Sequence, residues 1–255
     1  MKSLKQCAAD WCFFKDGESP EEYYRALKSF GYTGIEMPDP LRWPVLKAAG
    51  LSIISISGSG MEVGLNRYEN HATLIPQIEA QIIRAAKYDI RNLIIFSGNR
   101  KGQNDQEGLQ NCIGAIKKLA KVAEKKEVTL LFEMLCSADH ADYQADSSAY
   151  GFALAKAVAS PYVKVLYDIY HMHEMGEDVL ADIVNNLDLI GHIHIAGSNG
   201  RHFPDSSQKI DYKTIVSRVI ASGYRGYWGQ EFVPLTAALE EARTAAELFN
   251  SYILK

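Results

Sequence analysis

The sequence predicts an α/β protein, a single-domain (β/α)8 barrel covering residues 1–255. Short runs rich in β-branched and aromatic residues recur eight times, and a stretch of helical period or helical length follows each run. Dividing the chain among these runs leaves about 32 residues per repeat, which accommodates one strand, one helix and two loops. A doubly wound open sheet is the alternative fold for the same alternation.

The eight predicted strands follow one another along the whole chain. They are residues 6–11, 33–37, 51–57, 92–97, 128–135, 163–170, 190–196 and 226–232. No low-complexity stretch, linker or change of composition separates any of them from the rest. We therefore expect one domain without an internal boundary.

Two of the predicted helices carry clear signals at their ends. Ser19 is suited to an N-cap, Pro20 to the first helical position, and Gly31 stands where that helix should end. The segment Asp105–Lys126 places its apolar residues on one face and its lysines on the opposite face. This pattern is typical of a helix that coats a barrel.

Composition excludes several classes of protein. Lys and Arg number 27 against 31 Asp and Glu, giving a net charge of −4, and the basic residues form no stripe, so we expect no nucleic-acid partner. No apolar run reaches the roughly 18 residues that a membrane span requires, and we expect no membrane partner. The N-terminal segment lacks the apolar core of a secretory signal, which predicts a cytoplasmic protein, although a leader removed before residue 1 would leave no trace. The four scattered cysteines are expected to be reduced structural thiols.

Four consecutive predicted strands end in a side chain that can bind a metal ion. These side chains are Glu133, Asp168, His194 and Glu231. Their neighbours along each strand are apolar or aromatic and suit the layer between strands and helices, so alternation directs the four inward. The active site of such a barrel lies at the carboxyl ends of its strands, which is where all four are expected.

Three carboxylates at one barrel mouth would repel and raise one another's pKa unless a cation lay among them. One divalent metal ion is the simplest such cation. Three oxygens and one imidazole suit Mn²⁺, Mg²⁺ or Co²⁺ and tolerate Zn²⁺, so the set does not specify the ion. In the alternative interpretation, each of the four is a core group or a member of an ion pair.

Two further residues lie near the predicted barrel mouth. Trp11 follows the first strand, and we expect its ring to form an apolar wall beside the substrate. Glu36 ends the second strand and either reaches the pocket or pairs with a neighbouring group at the rim.

Longer motifs carry a resemblance to a known family. They are Trp-Cys-Phe at 11–13, Gly-Leu-Asn-Arg at 64–67, Phe-Ser-Gly-Asn-Arg at 96–100, Leu-Tyr-Asp-Ile-Tyr-His-Met at 166–172, His-Ile-Ala-Gly at 194–197, Gly-Arg-His at 200–202 and Gly-Tyr-Trp-Gly-Gln-Glu-Phe at 226–232. With these motifs the chain resembles the xylose-isomerase-like TIM-barrel sugar isomerases and epimerases, and within them the hydroxypyruvate-isomerase-like branch. The resemblance extends over nearly the whole chain.

The resemblance implies a metal-dependent isomerase. Its single divalent ion would be held by the four side chains named above, with Glu133 and Glu231 also moving a proton beside a carbonyl through an enediolate. It implies further that His171 and Arg201 contact oxygens of a small hydroxy-carbonyl or sugar substrate. A homo-oligomer is expected from the relatives alone.

Two departures from the hydroxypyruvate isomerases leave the substrate open. His194 stands where those enzymes are expected to have Gln, and it is the choice of the sugar epimerases; Phe203 stands where an acidic residue often follows Gly-Arg-His. A ketose 3-epimerase acting on free sugars is therefore the alternative. An endonuclease-IV-like phosphodiesterase, which needs further ligands and a basic rim, and a non-catalytic metal- or sugar-binding protein are weaker alternatives.

Overall fold

The computed structural model describes residues 3–253. Within them the strands follow chain order and close into an eight-stranded barrel, which confirms the predicted fold class. The strands are β1 (Gln6–Ala9), β2 (Gly34–Glu36), β3 (Ser52–Ser57), β4 (Asn92–Ile95), β5 (Thr129–Glu133), β6 (Val163–Asp168), β7 (Ile190–Ile195) and β8 (Trp228–Gln230).

Helices connect the successive strands. They are α1 (Asp10–Phe13), α2 (Pro20–Ser29), α3 (Trp43–Ala48), α4 (His71–Lys87), α5 (Asp105–Lys126), α6 (Ser148–Val158), α7 (Ile169–Glu174), α8 (Val179–Asn185), α9 (Tyr212–Ala221) and α10 (Ala238–Ser251). Short 3₁₀ turns occupy Pro40–Arg42, Tyr68–Asn70 and Leu187–Leu189.

The chain forms two compact units. Of the described residues, the first unit contains 3–54 together with 193–253, and the second is Ser55–His192. The prediction that residues 1–255 form one domain stays a prediction. Across residues 3–253, no helix combines the length and the apolar character needed to cross a bilayer.

In the first unit, parallel pairing fixes the height of the strand ends. β1 pairs with β2, where Ala9 lies opposite Glu36, and with β8, where Ala8 lies opposite Gln230. β8 in turn pairs with the end of β7, where His194 lies opposite Gly229. The carboxyl ends of these strands consequently meet at one edge of the sheet.

The interior of the first unit contains a hydrogen-bonded pair of glutamines. Gln6 donates from Nε2 to the carbonyl of Ala246 at 3.0 Å and accepts from Nε2 of Gln230 at 3.0 Å. Because a buried amide without a partner is costly, the two glutamines fix each other's orientation. Elsewhere in the same unit, the rings of Phe13 and Phe232 pack edge to face with their centroids 4.9 Å apart.

In the second unit, the aromatic strand residues face the helices, as alternation predicts. Phe132 of β5 stacks on Tyr150 of α6 at 6.2 Å, and Tyr167 of β6 stacks on Phe152 of the same helix at 6.1 Å. Side chains alternate along a strand, so the residues that follow them, the last of β5 and of β6, point away from this helix layer.

The predicted helix signals are confirmed. Oγ of Ser19 accepts from the backbone N–H of Glu22 at 3.4 Å, and Gly31, just beyond α2, has a left-handed φ of 98°. α5 has the predicted bounds, and its first turn is capped by the side chain of Asn104. Local capping chemistry therefore determines where these helices begin or end.

Several strands are shorter than the sequence pattern predicts. β1 ends at Ala9, and Trp11 belongs to the short helix α1 instead of the strand. β6 ends at Asp168, whose Oδ1 accepts from the backbone N–H of Tyr170 at 2.8 Å and caps α7. The β-branched and aromatic residues beyond these points fill helical turns, which hydropathy alone does not distinguish from a strand.

Candidate functional site

In the first unit, a buried histidine is held by a buried carboxylate. His194 Nε2 lies 3.1 Å from Oε2 of Glu36, and Oε1 of Glu36 accepts from the thiol of Cys7 at 3.0 Å. All three side chains are fully buried. Burial, and then the Glu36 carboxylate, raise the pKa of the Cys7 thiol well above its usual value, so the thiol keeps its proton and donates it. Glu36 thus accepts from both neighbours, one of which, His194, is a predicted site residue.

The hydrogen bond to Glu36 determines which nitrogen of His194 carries the ring proton. Because a carboxylate oxygen accepts, Nε2 of His194 donates to Glu36, and Nδ1 is directed at Glu231. Nδ1 lies 2.8 Å from Oε2 of Glu231. Two electron-pair donors at this separation require a cation between them, either a proton, which makes His194 an imidazolium, or a metal ion. The donor pair therefore fits the predicted metal site.

Glu231 is ionised by its surroundings. Its Oε1 accepts from Nε1 of Trp11 at 3.0 Å, and its Oε2 accepts from Nη2 of Arg201 at 2.6 Å. Burial opposes ionisation, but attraction to His194 and Arg201, together with hydrogen bonds, outweighs it and lowers the pKa of Glu231 to about 2. The carboxylate is charged at neutral pH, which is the form that a metal ligand needs.

The loop after β7 places Arg201 on this carboxylate. Arg201 has a left-handed φ of 63°, and its backbone donates to Gly197 at 3.0 Å and accepts from Val233 at 2.7 Å. Its guanidinium carbon also lies 5.6 Å from the ring centroid of Trp11. A non-glycine residue held in this conformation indicates that the loop geometry is strongly determined.

In the second unit, both predicted carboxylate ligands end strands. Asp168 is fully buried and caps α7, while its Oδ2 lies 3.7 Å from Nε2 of His171. Glu133 is 5% exposed, and its backbone carbonyl accepts from the hydroxyl of Tyr143 at 2.9 Å. These contacts fix the ends of β6 and β5.

His171 is fixed by the loop that follows β5. Its Nδ1 accepts from the backbone N–H of Cys136 at 3.3 Å and lies 3.1 Å from the sulfur of the same residue. Because an amide N–H can only donate, Nδ1 is unprotonated and the ring proton lies on Nε2. Nε2 is the nitrogen nearer to Asp168.

The predicted site residues fall into two groups. The first unit contains Trp11, His194, Arg201 and Glu231, and the second contains Glu133, Asp168 and His171. Sequence reasoning left the role of Glu36 open and treated Cys7 and Cys136 only as structural thiols. The position of Glu36 at a strand end was the one signal that pointed to it.

Comparisons with known proteins agree with this architecture. Residues 24–252 match the family described as the xylose isomerase-like TIM barrel. A hydroxypyruvate isomerase of Escherichia coli is 28% identical over 117 residues, covering 46% of this chain and 45% of that protein. A 2-oxo-tetronate isomerase of Pectobacterium atrosepticum is 23% identical over 227 residues, covering 83% of this chain and 85% of that protein.

Solved structures share the fold. An L-ribulose 3-epimerase superimposes with a TM-score of 0.83 at 17% identity, covering 98% of this chain and 94% of that one. At this identity the likeness shows a shared fold.

Replacing Glu36 tests the buried hydrogen bonds. Glu36→Ala leaves the N–H of His194 and the thiol of Cys7 without an acceptor, and a buried donor without a partner costs about 1–3 kcal/mol. Glu36→Gln keeps an oxygen acceptor of the same size and should lose less of the free energy of unfolding. Urea denaturation with EDTA present measures both variants. Wild-type stability in Glu36→Ala would show that the carboxylate does not hold the histidine.

Proposed function

Because the chain belongs to the xylose isomerase-like TIM-barrel family, we propose that it is a divalent-metal-dependent isomerase. The reaction is an intramolecular oxidoreduction, in which a proton moves between neighbouring carbons of a small hydroxy-carbonyl compound. Its relatives named as hydroxypyruvate isomerase and 2-oxo-tetronate isomerase support this class of reaction.

One observation about the donor set carries the proposal. The four proposed ligands are all buried, and each carries an oxygen or nitrogen atom that can bind a metal ion; they are Glu133, Asp168, His194 and Glu231. A buried set of three carboxylates and one histidine is costly without a cation to balance it. Oxygen and imidazole donors suit Mn²⁺, Mg²⁺, Co²⁺ or Zn²⁺.

Two glutamates are the proposed acid and base. When bound, the divalent ion supplies the positive charge that stabilises the enediolate developing on the substrate. One of Glu133 and Glu231 accepts the proton from the substrate carbon, and the other returns a proton to the neighbouring carbon. Trp11 and Arg201 hold the Glu231 carboxylate in its charged form before the substrate arrives.

The substrate is proposed to carry an acid group. Arg201 has a planar fork of donors that suits a carboxylate, and the substrates named for the two relatives are both acids. His171 and Trp11 are the other proposed substrate contacts. Binding of an acid would require the guanidinium to divide its donors between the substrate and Glu231.

A ketose 3-epimerase acting on free sugars is the second candidate. His194 favours it, because the resemblance assigns histidine at this position to the sugar epimerases. The two candidates share the metal ligands and the two glutamates and differ in which carbon of the substrate loses its proton. The absence of nucleic-acid and membrane partners and the homo-oligomer remain predictions.

Metal content tests the ligand set. Purified protein dialysed against Mn²⁺ should retain close to one ion per chain, and Asp168→Asn or His194→Ala should remove most of it, because loss of one donor from a four-donor site weakens binding steeply. Elemental analysis gives the stoichiometry. Asp10→Asn, which changes another buried carboxylate, one paired with Arg42, is the matched control and should keep its metal. Equal occupancy in all three variants would contradict the proposed ligands.

Turnover tests the reaction. With Mn²⁺ present, wild-type protein should interconvert the aldehyde and ketone forms of hydroxypyruvate or another small hydroxy acid, and a parallel screen of free sugars tests the epimerase candidate. Glu133→Gln and Glu231→Gln keep an oxygen donor but lose a proton acceptor, so kcat should fall by about 10²–10⁴-fold. Near-normal kcat in either variant would reduce that glutamate to a metal ligand, and inactivity on every acid and sugar would contradict the proposed reaction.

A further inference from the structure

A cluster that contains sulfur lies outside the four proposed ligands. Cys136, Asp139 and His171, together called the thiol cluster, each offer one ligand atom, and these atoms lie within 4.8 Å of one another. All three residues belong to the second unit. None of them serves as a metal ligand in the proposed reaction.

A tight turn after β5 brings two members of the thiol cluster together. The backbone N–H of His140 donates to the carbonyl of Cys136 at 3.0 Å, which closes one turn of chain. Residues three apart in such a turn lie on the same side, so Cys136 and Asp139 face one position. His171 reaches that position from α7, the helix that Asp168 caps.

A proton now occupies the place that a metal ion would take. Nδ1 of His171 accepts from the backbone N–H of Cys136 at 3.3 Å, and the Cys136 sulfur lies 3.1 Å from it. Burial raises the pKa of the Cys136 thiol to about 11, so at neutral pH the sulfur carries the proton that it shares with Nδ1. A tetrahedral Zn²⁺ with Zn–S of about 2.3 Å and Zn–N of about 2.0 Å separates its two ligand atoms by about 3.5 Å. Sulfur and nitrogen need to move apart by only a few tenths of an ångström.

From this geometry we propose that the thiol cluster is a second metal site, selective for a soft divalent ion such as Zn²⁺ or Cd²⁺. Binding breaks the S–H bond and the hydrogen bond from the Cys136 backbone N–H to Nδ1, forms a metal–sulfur bond and a metal–Nδ1 bond, and releases the thiol proton to solvent. Thiolate favours Zn²⁺ and Cd²⁺ over Mg²⁺ and Mn²⁺, which prefer oxygen donors.

Charge and access agree with this site. One thiolate and the Asp139 carboxylate neutralise a divalent ion, and His171 contributes a neutral ligand, so the bound cluster carries no net charge. Cys136 and His171 are fully buried, whereas Asp139 is exposed and opens the cluster to solvent. A water molecule can complete the tetrahedron from that side.

Cadmium binding tests the thiol cluster independently of catalysis. Protein already saturated with Mn²⁺ is titrated with Cd²⁺, and the ultraviolet charge-transfer band of a cadmium–thiolate bond is followed. The wild type should develop the band with one equivalent of Cd²⁺, and excess Zn²⁺ should remove it. The four proposed catalytic ligands contain no sulfur, so Cd²⁺ bound there gives no band, and failure of either proposal leaves the other standing.

Three variants decide the result. Cys136→Ser should abolish the band, and Asp139→Asn should weaken Cd²⁺ affinity about tenfold or more. Cys112→Ser, which changes another buried thiol of the second unit, is the matched control and should behave as the wild type. No band in the wild type, or a band that persists in Cys136→Ser, would overturn the proposal. Because Asp139 is exposed, Asp139→Asn should fold normally, and unchanged affinity in that variant would overturn it as well.

Discussion

The buried hydrogen bond between Glu36 and His194 is the interaction on which the candidate site depends. It directs Nδ1 of His194 toward Glu231. The Glu231 carboxylate accepts from Trp11 and Arg201, so one glutamate contacts three side chains from separate parts of the chain. Without Glu36, the imidazole ring of His194 could flip and interchange the positions of Nδ1 and Nε2. The nitrogen that is proposed to bind the metal ion would then have no fixed position.

Two histidines are oriented by different partners. A carboxylate accepts from Nε2 of His194, whereas a backbone N–H donates to Nδ1 of His171. In each ring Nδ1 faces a second atom that can bind a metal ion, a carboxylate oxygen of Glu231 in one case and the sulfur of Cys136 in the other. The first suits a hard or borderline ion and the second a soft one.

Much of the fold could be predicted from sequence, because it follows from periodicity; the same periodicity underlies the proposed ligand set. Alternation along β5 and β6 correctly assigned Phe132 and Tyr167 to the helix layer, and the apolar face of the 105–126 segment predicted the bounds of α5. The hydrogen bonds of Glu36 and the contact of Cys136 with His171 could not be predicted, since they join residues far apart in the chain. Trp11 is expected from the sequence to form an apolar wall beside the substrate. In the structure its indole N–H donates to Glu231, a contact that the sequence does not indicate.

The central claim is that Glu133, Asp168, His194 and Glu231 together bind one divalent ion. Diffraction from Mn²⁺-loaded crystals at the manganese absorption edge tests it most directly. The account predicts an anomalous peak at bonding distance from one carboxylate oxygen of each acidic residue and from Nδ1 of His194. A peak bound through Nε2 of His194, or no peak among the four side chains, would contradict it.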